Sequence, residues 1–192
     1  MHEGTVDGYF VNLAKTQRVG IASRACIAFG DGRSLYAAYS YTRATFQSQA
    51  DIASPLDVGD GNIAEPGDRL PLVPAQQLRA GLDARVARRL SAGIDGRYVG
   101  SQWLRGDESN RDRPLDSYVI MDARASLSIE RWELTAAVTK LLGRKYAVFG
   151  TFNVNEGAIG GPTLERFLTP GAQRAIRISV HRRFGAETTP AK

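Results

Sequence analysis

Strict alternation of apolar and polar residues is the feature of this sequence that most constrains its fold. The stretch RAIRISVHRRFG near its end places Ile176, Ile178 and Val180 on one face and Arg177 and Ser179 on the other. Successive side chains of a β-strand point to opposite faces, so this period of two predicts a strand. The pattern fits a soluble sheet with one face on a core, and it equally fits a membrane barrel with lipid outside and a wet lumen.

The same alternation recurs along the whole chain. One window, QQLRAGLDARVARRL, also has the residue types of an amphipathic helix, but its period of two favours a strand. We therefore predict an all-β fold, an antiparallel meander of about seven transmembrane strands that forms part of an outer-membrane β-barrel. The predicted strands are Gln17–Phe29, Arg33–Phe46, Gln77–Arg88, Ser91–Trp103, Tyr118–Ile129, Glu133 to about Phe149, and Arg174–Gly185.

Short and long connections alternate between these strands. Asp31-Gly32 is a strong two-residue hairpin signal. Outer-membrane barrels have short turns on the periplasmic side and long loops outside, whereas a soluble sandwich has no reason to keep that order. The short connections are Gly30–Gly32, Arg89–Leu90 and Glu130–Trp132, and the long ones are Gln47–Gln76, Leu104–Ser117 and Gly150–Gln173.

Charged residues in the middle of the predicted strands fall on one face. A charge on the lipid side of a barrel costs several kcal/mol at the bilayer centre, so this face must be wet or internally paired. Arg182 is an exception on the apolar face, near a strand end where its side chain can reach the interface. The charges of the wet face are Arg18, Arg24, Arg79, Asp83, Arg85, Asp95, Arg97, Asp122, Arg124 and Arg177.

Composition narrows the class of protein. The 192 residues, 43% hydrophobic and 23% charged, suit one folded domain. No apolar run is long enough for a transmembrane helix, and a mean hydropathy of -0.26 is compatible with barrel strands. The net charge of +5 is spread along strands without a basic cluster, which argues against nucleic-acid binding. The N-terminus MHEGTVDGYF lacks the basic and apolar regions of a secretory signal, so we expect no signal peptide in this chain.

Several segments together resemble the C-terminal part of the β-barrel of TonB-dependent outer-membrane receptors. These are GYFVNLAKTQRVGI, LYAAYSYTRATFQS, GDRLPLVPAQQLRAGL, DSYVIMDARASL, VTKLLGRKYAVFG and FLTPGAQRAIRISVHRRF, in the family's order. The resemblance implies a barrel of about 22 strands around an N-terminal plug. It also implies uptake of a scarce ligand, usually a ferric siderophore, driven by the TonB complex through the plug, in the bacterial outer membrane and without enzymatic activity.

The resemblance divides the chain into residues 1–185, a C-terminal barrel segment without a plug, and residues 186–192, a disordered tail. We expect this segment to be incomplete alone, because an isolated sheet has unpaired edges and a wide apolar face. Phe184 matches the final aromatic residue that the barrel-assembly machinery reads in this family. The chain continues with GAETTPAK after it, which departs from the family's pattern.

We find no constellation of catalytic, cofactor-binding or metal-ligating residues. No serine lies in a GxSxG turn, and the histidines lack cysteine partners. Ligand contacts are therefore expected from the long loops and the wet face. Two alternatives stay open: a small independent outer-membrane barrel, porin or adhesin-like, and a soluble all-β binding protein. The candidate ligand-facing residues are Arg97, Trp103, Arg105, Phe152 and Asn155.

Overall fold

The computed structural model describes residues 15–30, 32–52 and 63–184, and the regular structure of these residues is entirely β. No helix in these ranges is long and apolar enough to span a membrane. The tail predicted at 186–192 lies outside them. The strands are β1 (Thr16–Phe29), β2 (Arg33–Phe46), β3 (Ala50–Asp51), β4 (Ile63–Ala64), β5 (Gln76–Ala87), β6 (Leu90–Val99), β7 (Tyr118–Ile129), β8 (Trp132–Thr139), β9 (Ala147–Asn155), β10 (Thr163–Pro170) and β11 (Ala175–Arg182).

A seven-stranded sheet in the order β1-β2-β5-β6-β7-β8-β11 is the main feature of the fold. Every neighbouring pair is antiparallel, which confirms the predicted meander. The sheet is open, with β1 and β11 at its edges, and no strand of the described residues pairs with the outer side of either. Because the number of strands is odd, β1 and β11 run in the same direction. These seven strands alone cannot close through an antiparallel pair.

The register aligns the apolar residues of all seven strands on one face. Leu35 pairs with Leu82, and Leu82 pairs in turn with Ile94. These side chains have no covering layer: Ile21 is 67% exposed and Ile178 is 71% exposed. A contiguous apolar surface of this width is unfavourable in water, so the face is built for apolar surroundings.

The short and long connections alternate as predicted and separate to opposite ends of the sheet. At one end, tight turns join β1 to β2, β5 to β6 and β7 to β8. Gly32 (φ 73°) and Glu130 (φ 49°) have the left-handed backbone that such turns require. Asp31, the first residue of the predicted hairpin signal, lies outside the described residues. At the other end lie the three long connections.

The predicted strand from Glu133 to about Phe149 is wrong. Strand β8 ends at Thr139, and Lys140 (φ 57°) and Gly143 (φ 64°) then turn the chain before β9 begins. The physical reason is visible in the sequence LLGRK, where two leucines and then two cations stand side by side and break the period of two. No single strand can place both members of such a pair on its preferred face.

The long loop predicted at Gly150–Gln173 is also wrong, because it holds most of a β-hairpin formed by β9 and β10. Strand β10 reads TLERFLTP, in which polar and apolar residues do not alternate, so the periodicity gives no signal for it. The predicted strand Ser91–Trp103 is shorter than expected. It ends at Val99; the amide of Gly100 still donates to the carbonyl of Gln76 in β5, and the chain then leaves the sheet.

The buried core of the described residues lies at the end of the sheet that carries the long connections. One cluster lies at the C-terminal end of β2, where Phe46 packs with Ala64 and Leu70. A second cluster joins Leu104, Leu115 and Phe152. The sheet therefore carries at one end a small packed body of its own, which is where a binding site can be held rigidly.

Candidate ligand-binding site

Hydrogen bonds join the three long connections to one another. The amide of Leu72 donates to the carbonyl of Trp103 at 2.9 Å, linking the β2–β5 and β6–β7 connections. Asn110 strengthens the same link, since its side chain accepts from the amide of Arg69 at 2.7 Å and donates to the carbonyl of Arg69 at 3.0 Å. Such paired bonds fix the two segments relative to each other.

The β6–β7 connection also joins the β9–β10 hairpin. The amide of Arg105 donates to the carbonyl of Gly150 at 3.1 Å, and the amide of Phe152 donates to the carbonyl of Arg105 at 3.0 Å. Arg105 and Thr151 thereby form a short parallel bridge. The connection thus occupies the edge of β9 that β10 leaves free, and it satisfies backbone groups that would otherwise need water.

Apolar packing supports these bonds. Leu104 is fully buried, Leu115 is 5% exposed and Phe152 is 6% exposed. Gly150 has no side chain where Leu104 and Leu168 approach, and a Cβ there would lie 2.8 Å from Cδ2 of Leu104. The absence of a side chain at Gly150 is what lets the connection pack closely on the hairpin.

A buried carboxylate organises the turn that follows Leu104. Asp107 is fully buried and accepts hydrogen bonds from the amides of Arg111 at 2.8 Å and Asp112 at 3.2 Å. Burial raises the pKa of Asp107 above its ordinary value of 3.8, while the two amide hydrogen bonds partly offset that rise. Asn110 has a left-handed backbone (φ 54°), and its amide donates a hydrogen bond to the carbonyl of Asp107, which closes the turn.

The structure brings together two of the predicted ligand-facing residues and separates the others. Arg105 and Phe152 are neighbours through the hydrogen bond between their backbones, although the ring of Phe152 is buried in the apolar cluster. Trp103 lies half-buried in the same connection. Asn155 ends β9 and donates to Glu165 at 3.0 Å. Arg97 lies apart from them: it is exposed on β6, directly opposite Arg79 in the antiparallel register with β5.

The polar face of the sheet holds a network of charged side chains nearer the short turns. Arg124 bonds Asp95 at 2.6 Å and also pairs with Asp83. Tyr36 donates to Asp95, and its ring fills the space that Gly81 leaves open. Opposite charges on adjacent strands thus satisfy each other on this face, as expected for a wet or internally paired surface. No group of three metal-ligating side chains occurs within the described ranges.

Phe184, predicted as the assembly signal, lies just beyond β11 and is 80% exposed. The guanidinium of Arg182 lies 4.8 Å from the ring centre of Phe184 and 5.1 Å from that of Trp132. Arg182 has the parity of Ile176, Ile178 and Val180 and thus lies on the apolar face, at the end of β11. Its position against two aromatic rings at the end of the sheet fits a side chain at a membrane interface.

Sequence reasoning missed the residues that organise this end of the molecule. Asp107 and Asn110 were not distinguished from other polar loop residues, because their partners are distant in sequence. The basic pair Arg144-Lys145 has a signal in the sequence, because it follows a break in the period of two, and its residues line a cavity beside the start of β7. Because these two residues lie in a connection and not in a strand, they do not belong to the polar face of the sheet.

Comparison with known proteins gives a family for the chain. The family model described as "TonB dependent receptor-like, beta-barrel" matches residues 6–141. Curated proteins give no match. The family comprises transport receptors of the bacterial outer membrane and not enzymes.

Solved structures share the fold. The siderophore receptor PiuA from Acinetobacter baumannii has a TM-score of 0.65 and 16% identity, over 87% of this chain and 22% of the receptor. The ferric yersiniabactin uptake receptor FyuA from Yersinia pestis has a TM-score of 0.66 and 18% identity, over 88% and 24%. The ferric citrate transporter FecA in its unliganded form has a TM-score of 0.64 and 16% identity, over 88% and 24%.

The chain thus spans less than a quarter of the length of each of these three receptors. The likeness in fold to each of these receptors covers 87% or 88% of this chain. The family match extends over more than half of the chain. The chain belongs to the TonB-dependent receptor β-barrel family.

Proposed function

We propose that residues 1–185 form a C-terminal wall segment of an outer-membrane receptor that takes up a ferric siderophore or a similar ligand. The family match carries this proposal. Two of the solved receptors with this fold are described as taking ferric yersiniabactin and ferric citrate. Uptake is driven by the TonB complex through a plug domain that we place outside these 192 residues, together with the remaining strands.

The two faces of the sheet suit this role. The exposed apolar face, with Ile21 and Ile178 on its two edge strands, is proposed to contact membrane lipid. The opposite face, with the pairs that Arg124 makes to Asp83 and Asp95, is proposed to line the lumen. Burying these ion pairs against lipid would cost several kcal/mol each, whereas a wet lumen costs them little.

Two observations weigh against the alternatives. A small independent barrel made of the described strands alone would have to join β1 to β11, but these strands run in the same direction. A soluble binding protein would have to cover the apolar face, and none of the described residues covers it. Both observations favour a sheet that continues on either side into further antiparallel strands, as in a larger barrel.

The long connections are the proposed ligand end. Arg97, Trp103, Arg105, Phe152 and Asn155 are retained as ligand-facing residues, with the ring of Phe152 acting mainly through packing. Because hydrogen bonds hold these connections together, they offer a pre-formed surface, which reduces the entropy lost on binding.

Uptake by the whole receptor tests this proposal. In iron-limited cells, we would measure the accumulation of radiolabelled iron from ferric hydroxamate, catecholate and citrate complexes. We expect one class to enter only when the receptor is present, and Trp103→Ala with Arg105→Ala to reduce that uptake about tenfold. Arg88→Ala, at the short-turn end, is the matched control. Iron entry equal to that of cells lacking the receptor, for every complex, would contradict the proposal.

Phe184 is proposed to signal to the barrel-assembly machinery. Its ring is exposed next to the last strand, where the assembly machinery can contact it. We expect Phe184→Ala to slow the appearance of the folded, heat-modifiable receptor in the outer membrane, while Phe167→Ala in the β9–β10 hairpin does not. Equal assembly of both variants would remove Phe184 from this role.

A further inference from the structure

A cavity of about 600 Å³ lies beside the long connections and is distinct from the residues predicted to face ligand. The start of β7, the β8–β9 connection and β10 form its walls. A volume of this size is typical of sites that hold a small organic molecule.

The walls of the cavity are strongly basic. Arg113, Arg144, Lys145 and Arg166 line it, and Asp116 is the single acidic residue among the described residues that do so. Asp116 is paired with Arg113 at 3.2 Å. No carboxylate within the described ranges forms an ion pair with Arg144 or Lys145. The cavity therefore has an excess of positive charge that attracts anions.

Arg166 is weakly paired within the described residues. Its Nε atom is buried and has no hydrogen-bond partner among the described residues. The nearest carboxylate, that of Asp112, lies 3.9 Å from the other end of the guanidinium, and the ring of Phe152 lies 5.9 Å from its carbon. The Arg166 side chain is 27% exposed, so its guanidinium adds a positive charge to the cavity that is only weakly paired.

Two tyrosines that stack on each other line the cavity. The rings of Tyr118 and Tyr146 lie 4.5 Å apart with an angle of 32° between their planes. Lys140 stands 4.6 Å from the centre of the Tyr146 ring and donates to the carbonyl of Ala172. Lys140 and Tyr118 thus hold the Tyr146 ring in place, and the aromatic pair gives the cavity an apolar surface for a ring-bearing molecule.

We infer that this cavity binds an organic anion, one that carries carboxylate, sulfonate or phosphate oxygens on a ring-bearing body. Arg144, Lys145 and Arg166 take the oxygens, and the tyrosine pair takes the ring. The inference rests on the proposed receptor function and deepens it by giving the charge of the ligand. The same chemistry is available from a soluble small molecule or from the phosphorylated sugar of an outer-leaflet lipid.

Titration calorimetry on the receptor in a neutral detergent tests the inference. The soluble probe is catechol disulfonate, with uncharged catechol as its matched control, and lipid A is the lipid probe. We expect at least one anionic probe to bind, and the double variant Arg144→Gln/Lys145→Gln to weaken it at least about tenfold. Arg166→Gln should act in the same direction, and Arg88→Gln at the far end should have no effect.

Asp116→Asn gives a test that misfolding cannot imitate. Removing this lining carboxylate releases Arg113 and increases the positive charge, so we expect severalfold tighter binding of the same probe. Raising the salt concentration should weaken binding by the wild type. Tightening by Asp116→Asn together with weakening by the double variant supports the inference, whichever probe binds.

Three results would overturn it: no binding of either anion, equal binding of catechol and its disulfonate, or affinities that none of these variants changes. Binding in detergent requires neither a plug nor energy from TonB. Anion binding without iron uptake would therefore reject the proposed function alone. Iron uptake without anion binding would reject only the inference that the cavity binds an anion.

Discussion

Leu104→Ala tests whether the long connections form one packed body. The Leu104 side chain is fully buried between Leu115 and Phe152, and it fills the space beside Gly150. Truncation removes the apolar contacts of one buried leucine and leaves a cavity, since the backbone is held by hydrogen bonds on both sides. Removal of a buried leucine typically costs about 3 kcal/mol, so local opening should become about 150-fold more frequent.

Amide hydrogen exchange on the receptor in detergent measures this opening. The amides of Arg105, Leu115 and Phe152 all donate across the packed connections, so their exchange reports on opening there. We expect their protection to fall by about two decades in Leu104→Ala. Leu141→Ala is the matched control, because that leucine is 40% exposed and lies outside both buried clusters.

The outcome for the sheet decides the interpretation. Amides in the ladder between β7 and β8 should keep their protection, because no apolar core joins that ladder to Leu104. Unchanged exchange at Arg105 and Phe152 would refute the packed body. Equal loss of protection throughout the sheet would show that the connections and the sheet unfold as one unit, and it would refute the independence of the packed body from the sheet.

Three further predictions follow from burial, charge and space. Burial raises the pKa of Asp107, so the connections should gain stability as the pH falls through that pKa towards 3.8. Urea unfolding, followed by the fluorescence of Trp103, should show this gain in the wild type and not in Asp107→Asn. Ile178→Lys, on the apolar face, should cost about 2–4 kcal/mol of unfolding free energy in lipid, and Ser179→Lys little. Gly81→Ala, whose Cβ would lie 2.7 Å from the Tyr36 hydroxyl, should lower the urea midpoint, while Gly96→Ala, with 3.8 Å to its nearest neighbour, should not.

Much of the sheet follows from the sequence. Strands β2 and β7 have the predicted bounds, and β1 differs by a single residue. The apolar face, the wet face and the order of short and long connections were equally readable. Alternation is local, since each residue's neighbours two positions away decide which face it shares, so it needs no knowledge of distant contacts.

Prediction failed where the period of two stops. The turn at Lys140 and strand β10 carry no alternation, and their geometry depends on packing against other connections. Of the residues predicted to face ligand, the structure gives Phe152 a mainly structural position, which no local pattern would indicate. Asp107 gave no signal either, because burial and not residue type sets its role.

The local pattern of residues is enough to predict antiparallel strands with one apolar face and one polar face. It does not indicate that the three long connections meet, that Asn110 bonds Arg69, or that Arg144, Lys145 and Arg166 border one cavity; the folded chain shows these contacts. The physical reason is that these contacts join residues far apart in the chain. Their geometry is set by strand register and loop closure over the whole sheet, while the period of two depends only on neighbouring residues.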